Sequence, residues 1–238
     1  MAAQGLVERE WQAPAWGNLQ SNLQFLSRVG VLTKPSTVLE IGCGKGTLLD
    51  EVHRWGHEVV GIDVDADAIA LAHSSYPKIS SQVASGDSLP FLAASFDAVL
   101  SFDVFEHIPD SDAHVREVGR VLKPGGHYLL QTPNKWTNIP FELLRHWRKF
   151  GMGPIAGYHA LREEHCSLHN YWELKRRFAR HRFRTTFYDV PVVNEYFIGK
   201  MHNYFGAAAS PLLAVFNPDR MPLALRTNFY VKAERSAA

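Results

Sequence analysis

Two rhythms of apolar and polar positions alternate along this chain. Short apolar runs, each bounded by turn residues, occur at Val38-Leu39-Glu40-Ile41, Val59-Val60-Gly61-Ile62, residues 96–102 and residues 127–132. Runs of that length suit strands buried on both faces. Between them the spacing turns helical, over residues 47–52, 66–73 and 110–122. Strand and helix in alternation predict an α/β fold, with a parallel sheet covered by helices on both faces. Further on, Asn170 followed by Glu173 reads as a capping box, and Tyr171, Leu174 and Phe178 then share one helical stripe. Residues 183–190 and 226–232 read as the last two strands. Before the first strand, Trp11 and Trp16 precede a helical stripe of Leu19, Leu23 and Leu26.

The most informative punctuation follows the first strand. Val38-Leu39-Glu40-Ile41-Gly42-Cys43-Gly44-Lys45-Gly46 ends an apolar run on an acid and three alternating glycines. Glycines let a backbone turn tightly and lie against a ligand. Helical spacing resumes at Thr47, so free N–H groups of a helix start face whatever is bound. A dinucleotide fingerprint needs G-x-G-x-x-G, whereas the third glycine here comes one place early and Thr47 stands where that glycine belongs.

The pattern Glu40-x-Gly42-x-Gly44-x-Gly46 resembles motif I of the class I S-adenosylmethionine (SAM)-dependent methyltransferases. Later segments resemble the same family in the same order. Asp63 ends the second apolar run about 20 residues past the loop, the place of a ribose-binding acid. Asp63 or Asp65 could instead cap the helix at residues 66–73, and Asp65 is the better placed. Ala84-Ser85-Gly86-Asp87-Ser88 looks like the adenine segment, and Lys123-Pro124-Gly125-Gly126 like the family's helix stop before strand five.

The resemblance implies a Rossmann-like, doubly wound, seven-stranded sheet, mostly parallel with an antiparallel last strand. It also implies SAM as cofactor, held by Glu40, Gly42, Gly44 and Gly46, by Asp63 with Val64, by Asp87 with Ser88, and by Phe102 at the methionine end. We read residues 1–238 as a single methyltransferase domain. In it residues 1–34 form a helical cap, 35–134 the SAM-binding core, and 135–169 and 191–224 substrate-side insertions.

Methyl transfer is an in-line displacement, so the protein mainly aligns the partners and excludes water. A hydroxyl acceptor gains from a general base. His107, in Asp103-Val104-Phe105-Glu106-His107 after strand four, is the best-placed candidate, and orienting the loop is its other role. His165 is a second candidate and His169 a weaker one, four residues apart. The acid-x-x-Glu-His spacing also resembles a segment of the ubiquinone-biosynthesis O-methyltransferases that is associated with a divalent cation. Asp103 is shorter than the Glu of that pattern, so no metal is assigned.

The net charge is +1, yet it is unevenly distributed. Residues 1–140 carry 10 Lys and Arg against 16 Asp and Glu, and residues 141–184 carry 10 against 4. An acidic core suits a cationic sulfonium. In the basic stretch, residues 141–150 are amphipathic with Leu143, Trp147 and Phe150 on one side, fit for a lid or for a membrane interface. Two cysteines, Cys43 and Cys166, offer neither zinc spacing nor a disulfide framework. With no signal peptide or spanning segment read, the expectation is cytoplasmic, with peripheral membrane contact left open.

The expected activity is methylation of a small-molecule hydroxyl on an aromatic, polyketide-like or prenylated compound. A sugar or glycan acceptor is the alternative, and a non-catalytic SAM-fold subunit the alternative of another class. No nucleic-acid partner is expected, because the place of a Pro-Pro-aromatic turn reads Ser101-Phe102-Asp103-Val104.

Overall fold

The computed structural model describes residues 17–151 and 153–236. Trp11 and Trp16 lie outside the described residues. In chain order the elements begin with α1 (Gly17–Val29), β1 (Thr37–Ile41), α2 (Thr47–Arg54), β2 (Glu58–Asp63), α3 (Ala66–Ser75) and β3 (Ser80–Val83). There follow β4 (Phe96–Phe102), a 3-10 turn at Phe105–His107, α4 (Ser111–Val121) and β5 (Leu122–Pro133). The remainder comprises α5 (Lys135–Phe150), α6 (Pro154–Glu164), α7 (Tyr171–Arg180), β6 (Phe183–Tyr188), α8 (Glu195–Phe205), α9 (Ala209–Val215) and β7 (Asn228–Arg235).

The strands form one sheet in the order β3-β2-β1-β4-β5-β7-β6. β1 to β5 run parallel, and β7 is antiparallel to both β5 and β6. The central strands are apolar because both faces are covered. On one face Val115 and Val118 of α4 and Leu174 and Phe178 of α7 pack on Leu39, Val99 and Leu130. On the other, Phe25 of α1, Leu49 and Val52 of α2 and Ile69 of α3 pack on Val38, Ala98 and Leu129. Each such large side chain taken wholly out of water contributes about 1.5–3 kcal/mol.

Several local expectations correspond to observed devices. Asn170 and Glu173 form a complete capping box on α7, and its stripe buries Leu174 and Phe178. Asp65 caps α3 by accepting from the backbone of Asp67 and Ala68. The leading helix buries Leu26, with Leu19 and Leu23 half-buried beside it, and Phe25 is its deepest residue.

Two expectations need correction. Lys123-Pro124-Gly125-Gly126 does stop α4 at Val121, but no loop follows. β5 starts at once at Leu122 and takes the four residues into the strand. Gly125 at φ +75° and a register shift between Phe96 and Ala98 absorb them as an irregularity of the ladder. The basic amphipathic stretch is the second half of a longer helix, α5, which starts at Lys135 and contains Pro140. Among the described residues no helix is long and apolar enough to cross a membrane.

Candidate active site

The carboxyl ends of β1, β2 and β4 meet at the point where strand order reverses, the usual ligand position in an open α/β sheet. The backbone itself makes the first part of the site. After Ile41 the amides of Gly42 and Cys43 both donate to the carbonyl of Ile62, at 2.7 and 3.0 Å, which folds the glycine loop over β2. Gly42, Gly44 and Gly46 all have positive φ, and Gly46 stands at the cap position of α2. At Gly42 a Cβ would lie 2.2 Å from Val104 Cγ2, so only hydrogen fits there. That contact also seats the β4 loop directly on the glycine loop.

Asp63 is committed in a way the sequence did not announce. One carboxylate oxygen accepts the Gly44 amide at 2.9 Å and the other the Asp65 amide at 3.0 Å. It therefore holds the glycine loop in shape, and each oxygen keeps a lone pair for a ligand hydroxyl. Val64 beside it is 71% exposed, an apolar side chain left at the rim. Glu40 is buried, and its Oε2 has no hydrogen-bond partner among the described residues. Burial, reinforced by neighbouring Asp63, raises its carboxyl to about 8. An acid with one unpaired oxygen beside a second acid, next to the glycine loop, fits a ligand that brings hydroxyls and positive charge. Burial pushes the Cys43 thiol up as well, so it is no nucleophile.

Past β3, Asp87 accepts from Ser85 Oγ at 2.6 Å, and the Ser88 amide donates to the Ser85 carbonyl. This loop rests on a buried histidine absent from the sequence reading. Burial lowers His114 to about 4, so its ring is neutral and carries one N–H. Nδ1 faces the Gly86 carbonyl at 2.7 Å, and a carbonyl only accepts, so the proton is on Nδ1. Nε2 then accepts from Tyr128 Oη at 2.7 Å, and Tyr128 accepts from Ser101 Oγ at 2.6 Å. A hydrogen-bonded line thus joins the Asp87 loop to β4 and β5.

Phe102 ends β4, buried, with Phe25 of α1 edge-on at 6.2 Å. Asp103 follows at φ +54°, a left-handed conformation unusual for its type. Gln131 Oε1 accepts its amide at 2.9 Å, and Asn18 Nδ2 of α1 donates to its carboxylate at 2.6 Å. The leading helix therefore reaches the mouth of the site, 85 residues away in sequence. Nothing local in the sequence marks Asn18 or Gln131 for this role.

On the next turn, His107 and His165 face each other with ring centroids 4.9 Å apart. Glu106 lies buried beside them, and its Oε2 accepts from Thr132 Oγ1 at 3.0 Å. Burial, with Asp103 adding to it, raises the Glu106 carboxyl to about 8. One ligand atom from each of Glu106, His107 and His165 lies within 4.8 Å of the others. His169 stands apart from this group. Its Nε2 accepts from Arg177 Nε at 3.1 Å, and burial lowers it to about 4. His165 and His169, four residues apart, thus turn to different partners: His165 to His107 and His169 to Arg177.

Comparison with known proteins agrees with this geometry. Residues 10–186 match the family described as "Methyltransferase domain". A "Probable S-adenosylmethionine-dependent methyltransferase" of Mycolicibacterium smegmatis is 39% identical over 103 residues, which is 43% of this chain and 40% of that protein. A "Ubiquinone biosynthesis O-methyltransferase" of Xanthomonas oryzae is 39% identical over 103 residues, 41% of this chain and 43% of that protein. The match thus spans about two fifths of these curated relatives. In fold, the geranyl diphosphate C-methyltransferase of Streptomyces coelicolor, solved with Mg2+, geranyl diphosphate and S-adenosyl-L-homocysteine, superposes with a TM-score of 0.62 at 17% identity. The superposition covers 91% of this chain and 79% of that one. A SAM-dependent methyltransferase from Mesorhizobium loti gives a TM-score of 0.60 at 18% identity, covering 94% and 99%. With the match extending over most of its length and the seven-stranded topology in place, the chain belongs to the methyltransferase-domain family, on the Rossmann-like fold of SAM-dependent enzymes.

Proposed function

We propose that the protein transfers the methyl group of SAM to a hydroxyl of a small apolar molecule, aromatic, polyketide-like or prenylated. The observation that carries this reading is the pair of facing rings, His107 and His165, beside buried Glu106, on a loop that Val104 packs onto Gly42. In this reading the cofactor lies along the glycine loop. Glu40 is near its cationic end, Asp63 on the ribose with Val64 against the base, Asp87 and Ser88 at the adenine edge, and Phe102 beside the methionine part. His107 is exposed, so it can receive an acceptor, take the hydroxyl proton and return it to solvent. The acceptor oxygen bonds the methyl carbon as the carbon–sulfur bond breaks. The products are the methyl ether, the neutral thioether cofactor and the proton on the imidazole. His165 positions that ring or shares the proton.

Two relatives support the acceptor class. One is named for an O-methyltransferase of ubiquinone biosynthesis, and one fold neighbour holds a prenyl diphosphate. The test is incubation with methyl-labelled SAM and a cell extract, followed by partition. Label entering the organic phase as an alkali-stable ether is the expected result. Label in polar products would favour a sugar or glycan acceptor, and SAM binding without turnover would favour a non-catalytic subunit.

The same three side chains support a second reading. Glu106, His107 and His165 offer one carboxylate and two imidazoles at a spacing a divalent cation can draw together. Such a cation would act as a Lewis acid on the acceptor oxygen. Loss of turnover in EDTA, restored by Mg2+ or Zn2+, would favour this version over the histidine base alone.

A further inference from the structure

We infer that the outer face of α5 and α7 is a docking surface for an anionic lipid bilayer, from which the acceptor enters the site. This rests on the apolar acceptor proposed above and names where that acceptor comes from. On α5, Trp136, Pro140, Leu143 and Trp147 follow one another at helical spacing on the side away from buried Glu142. Trp136 is 46% exposed and Trp147 61%. They stand 11 residues apart, three turns and nearly the same direction, so the stripe is about 16 Å long at 1.5 Å per residue. On another side of the same helix Phe141 meets Tyr204 of α8 edge-on at 5.1 Å, so the exposed Trp136 and Trp147 lie away from that contact.

The stripe continues onto α7. Trp172, 48% exposed, lies against Trp136 with ring centroids 5.3 Å apart. Lys175 and Arg176 succeed it on the exposed side of that helix, one turn along. Three of the chain's six tryptophans therefore share one surface. The stretch that carries most of it, residues 141–184, has the 10-to-4 excess of basic residues. Glu173, the acid nearest those cations in sequence, is paired with Lys135 at 3.2 Å.

Amphipathic rings with basic neighbours are the composition that settles at headgroup level on anionic lipid. A protein partner would be expected to bring its own packed pocket for such rings. Here the exposed rings have Lys175 and Arg176 at their flank, and charge complementarity commits the face to lipid. Position completes the argument. α5 begins two residues past the end of β5, and the Lys135 amide donates to the His169 carbonyl at 3.0 Å. Thr132, three residues before Lys135, donates to Glu106 Oε2 at 3.0 Å, so α5 starts beside the Glu106 loop. A molecule leaving the bilayer there meets the site without crossing water.

The experiment is sedimentation of the full chain with vesicles of phosphatidylcholine alone and of phosphatidylcholine mixed with phosphatidylglycerol, in low and high salt. The expected result is binding to the anionic vesicles, weakened by salt, with a blue shift of tryptophan emission. The triple variant Trp136→Ser, Trp147→Ser, Trp172→Ser should bind them about tenfold or more weakly, since each ring contributes apolar burial. The pair Lys175→Glu, Arg176→Glu should lose the preference for anionic lipid. SAM titration by calorimetry, unchanged in both variants, shows that they fold. Equal sedimentation of variant and parent overturns the inference, as does absence of binding to either vesicle. A dimer in solution that the triple variant dissolves, without vesicle binding, gives the face to a second copy. A polar acceptor in the extract assay would sink the proposed substrate class while leaving vesicle binding to be judged by itself.

Discussion

The cofactor side and the acceptor side of this molecule are held by different kinds of contact. Around Gly42 the constraints are local and made by backbone. Positive φ, amides donating to Ile62 and Asp63, and a cap position all lie within a few residues or one βαβ unit. Around His107 they are distant and made by side chains. His165 arrives from beyond α6, Thr132 from β5, and Asn18 from the first helix. In the function proposed above, the first kind serves cofactor binding and the second the choice of acceptor, so the second should be alterable with the cofactor in place.

The largest effect should come from separating the two. His107→Gln keeps the ring's approximate length and removes its basicity. Turnover should fall about 10²–10⁴-fold, the usual worth of a general base, while SAM affinity by calorimetry is unchanged. If turnover and SAM affinity fall together, the two regions are not separable and His107 serves the loop. His165→Gln should do less, because in the proposed mechanism His165 acts through His107.

Gly42→Ala attacks the other side. The added methyl would sit 2.2 Å from Val104, in a backbone at φ +73°. Left-handed backbone alone costs a residue with a Cβ about 1–2 kcal/mol, and the clash adds to it. The expected outcome is a lower urea midpoint and SAM binding weakened by at least about tenfold. Val104→Ala in the same chain removes the clash but leaves the strain, so recovery should be partial. Full recovery would show that crowding, and not φ, is what requires the glycine.

The division between the regions is also the division between what the sequence reveals and what it conceals. The strand, glycine loop and helix around Gly42, Gly44 and Gly46, the Asp65 cap and the Asn170–Glu173 box are legible because each is made within a short span of chain, where residue type and spacing carry the geometry. The strand pattern is legible for the same reason. Val104 over Gly42, Asn18 on Asp103 and His165 against His107 join segments tens of residues apart, and no periodicity reports on them. His114 is not legible because a histidine on a helix gives no sign of being fully buried until Gly86, Tyr128 and Ser101 close around it. Lys123–Gly126 marks the end of the helix but not the start of the strand, since an irregular ladder can take in a turn sequence.

His114 links the regions, and acid should reveal it. Its folded value near 4 lies below the ordinary 6.5. Between those values the unfolded chain binds a proton that the native chain refuses, so this contribution is complete at neutral pH and is lost as pH falls from about 6.5 towards 4. For a shift of this size the loss amounts to about 3 kcal/mol. Between pH 7 and pH 5 about 2 kcal/mol of this should be lost, read as a lower urea midpoint in the parent. His114→Gln should start less stable but lose less on acidification. Equal acid sensitivity in both would assign the loss to other groups.

The smallest effect is the most diagnostic for the cofactor side, because it leaves structure and turnover nearly alone. Glu40 is raised to about 8 from an ordinary 4.5, so at neutral pH without ligand it is largely protonated. That raised value costs the empty protein stability as pH climbs from about 4.5 through 8, since the unfolded chain releases its proton first. A bound cation reverses the preference, because positive charge nearby favours the carboxylate. SAM should therefore bind with release of a fraction of a proton near pH 7, and its affinity should increase with pH and level off above about 8. Calorimetry in buffers of different ionisation enthalpy reads the proton directly, as a slope of observed heat against buffer heat. Glu40→Gln should flatten that slope and the pH dependence while the glycine loop, held by Ile62 and Asp63, stays formed. A slope that persists in the variant would move the proton to another group and take Glu40 off the cofactor.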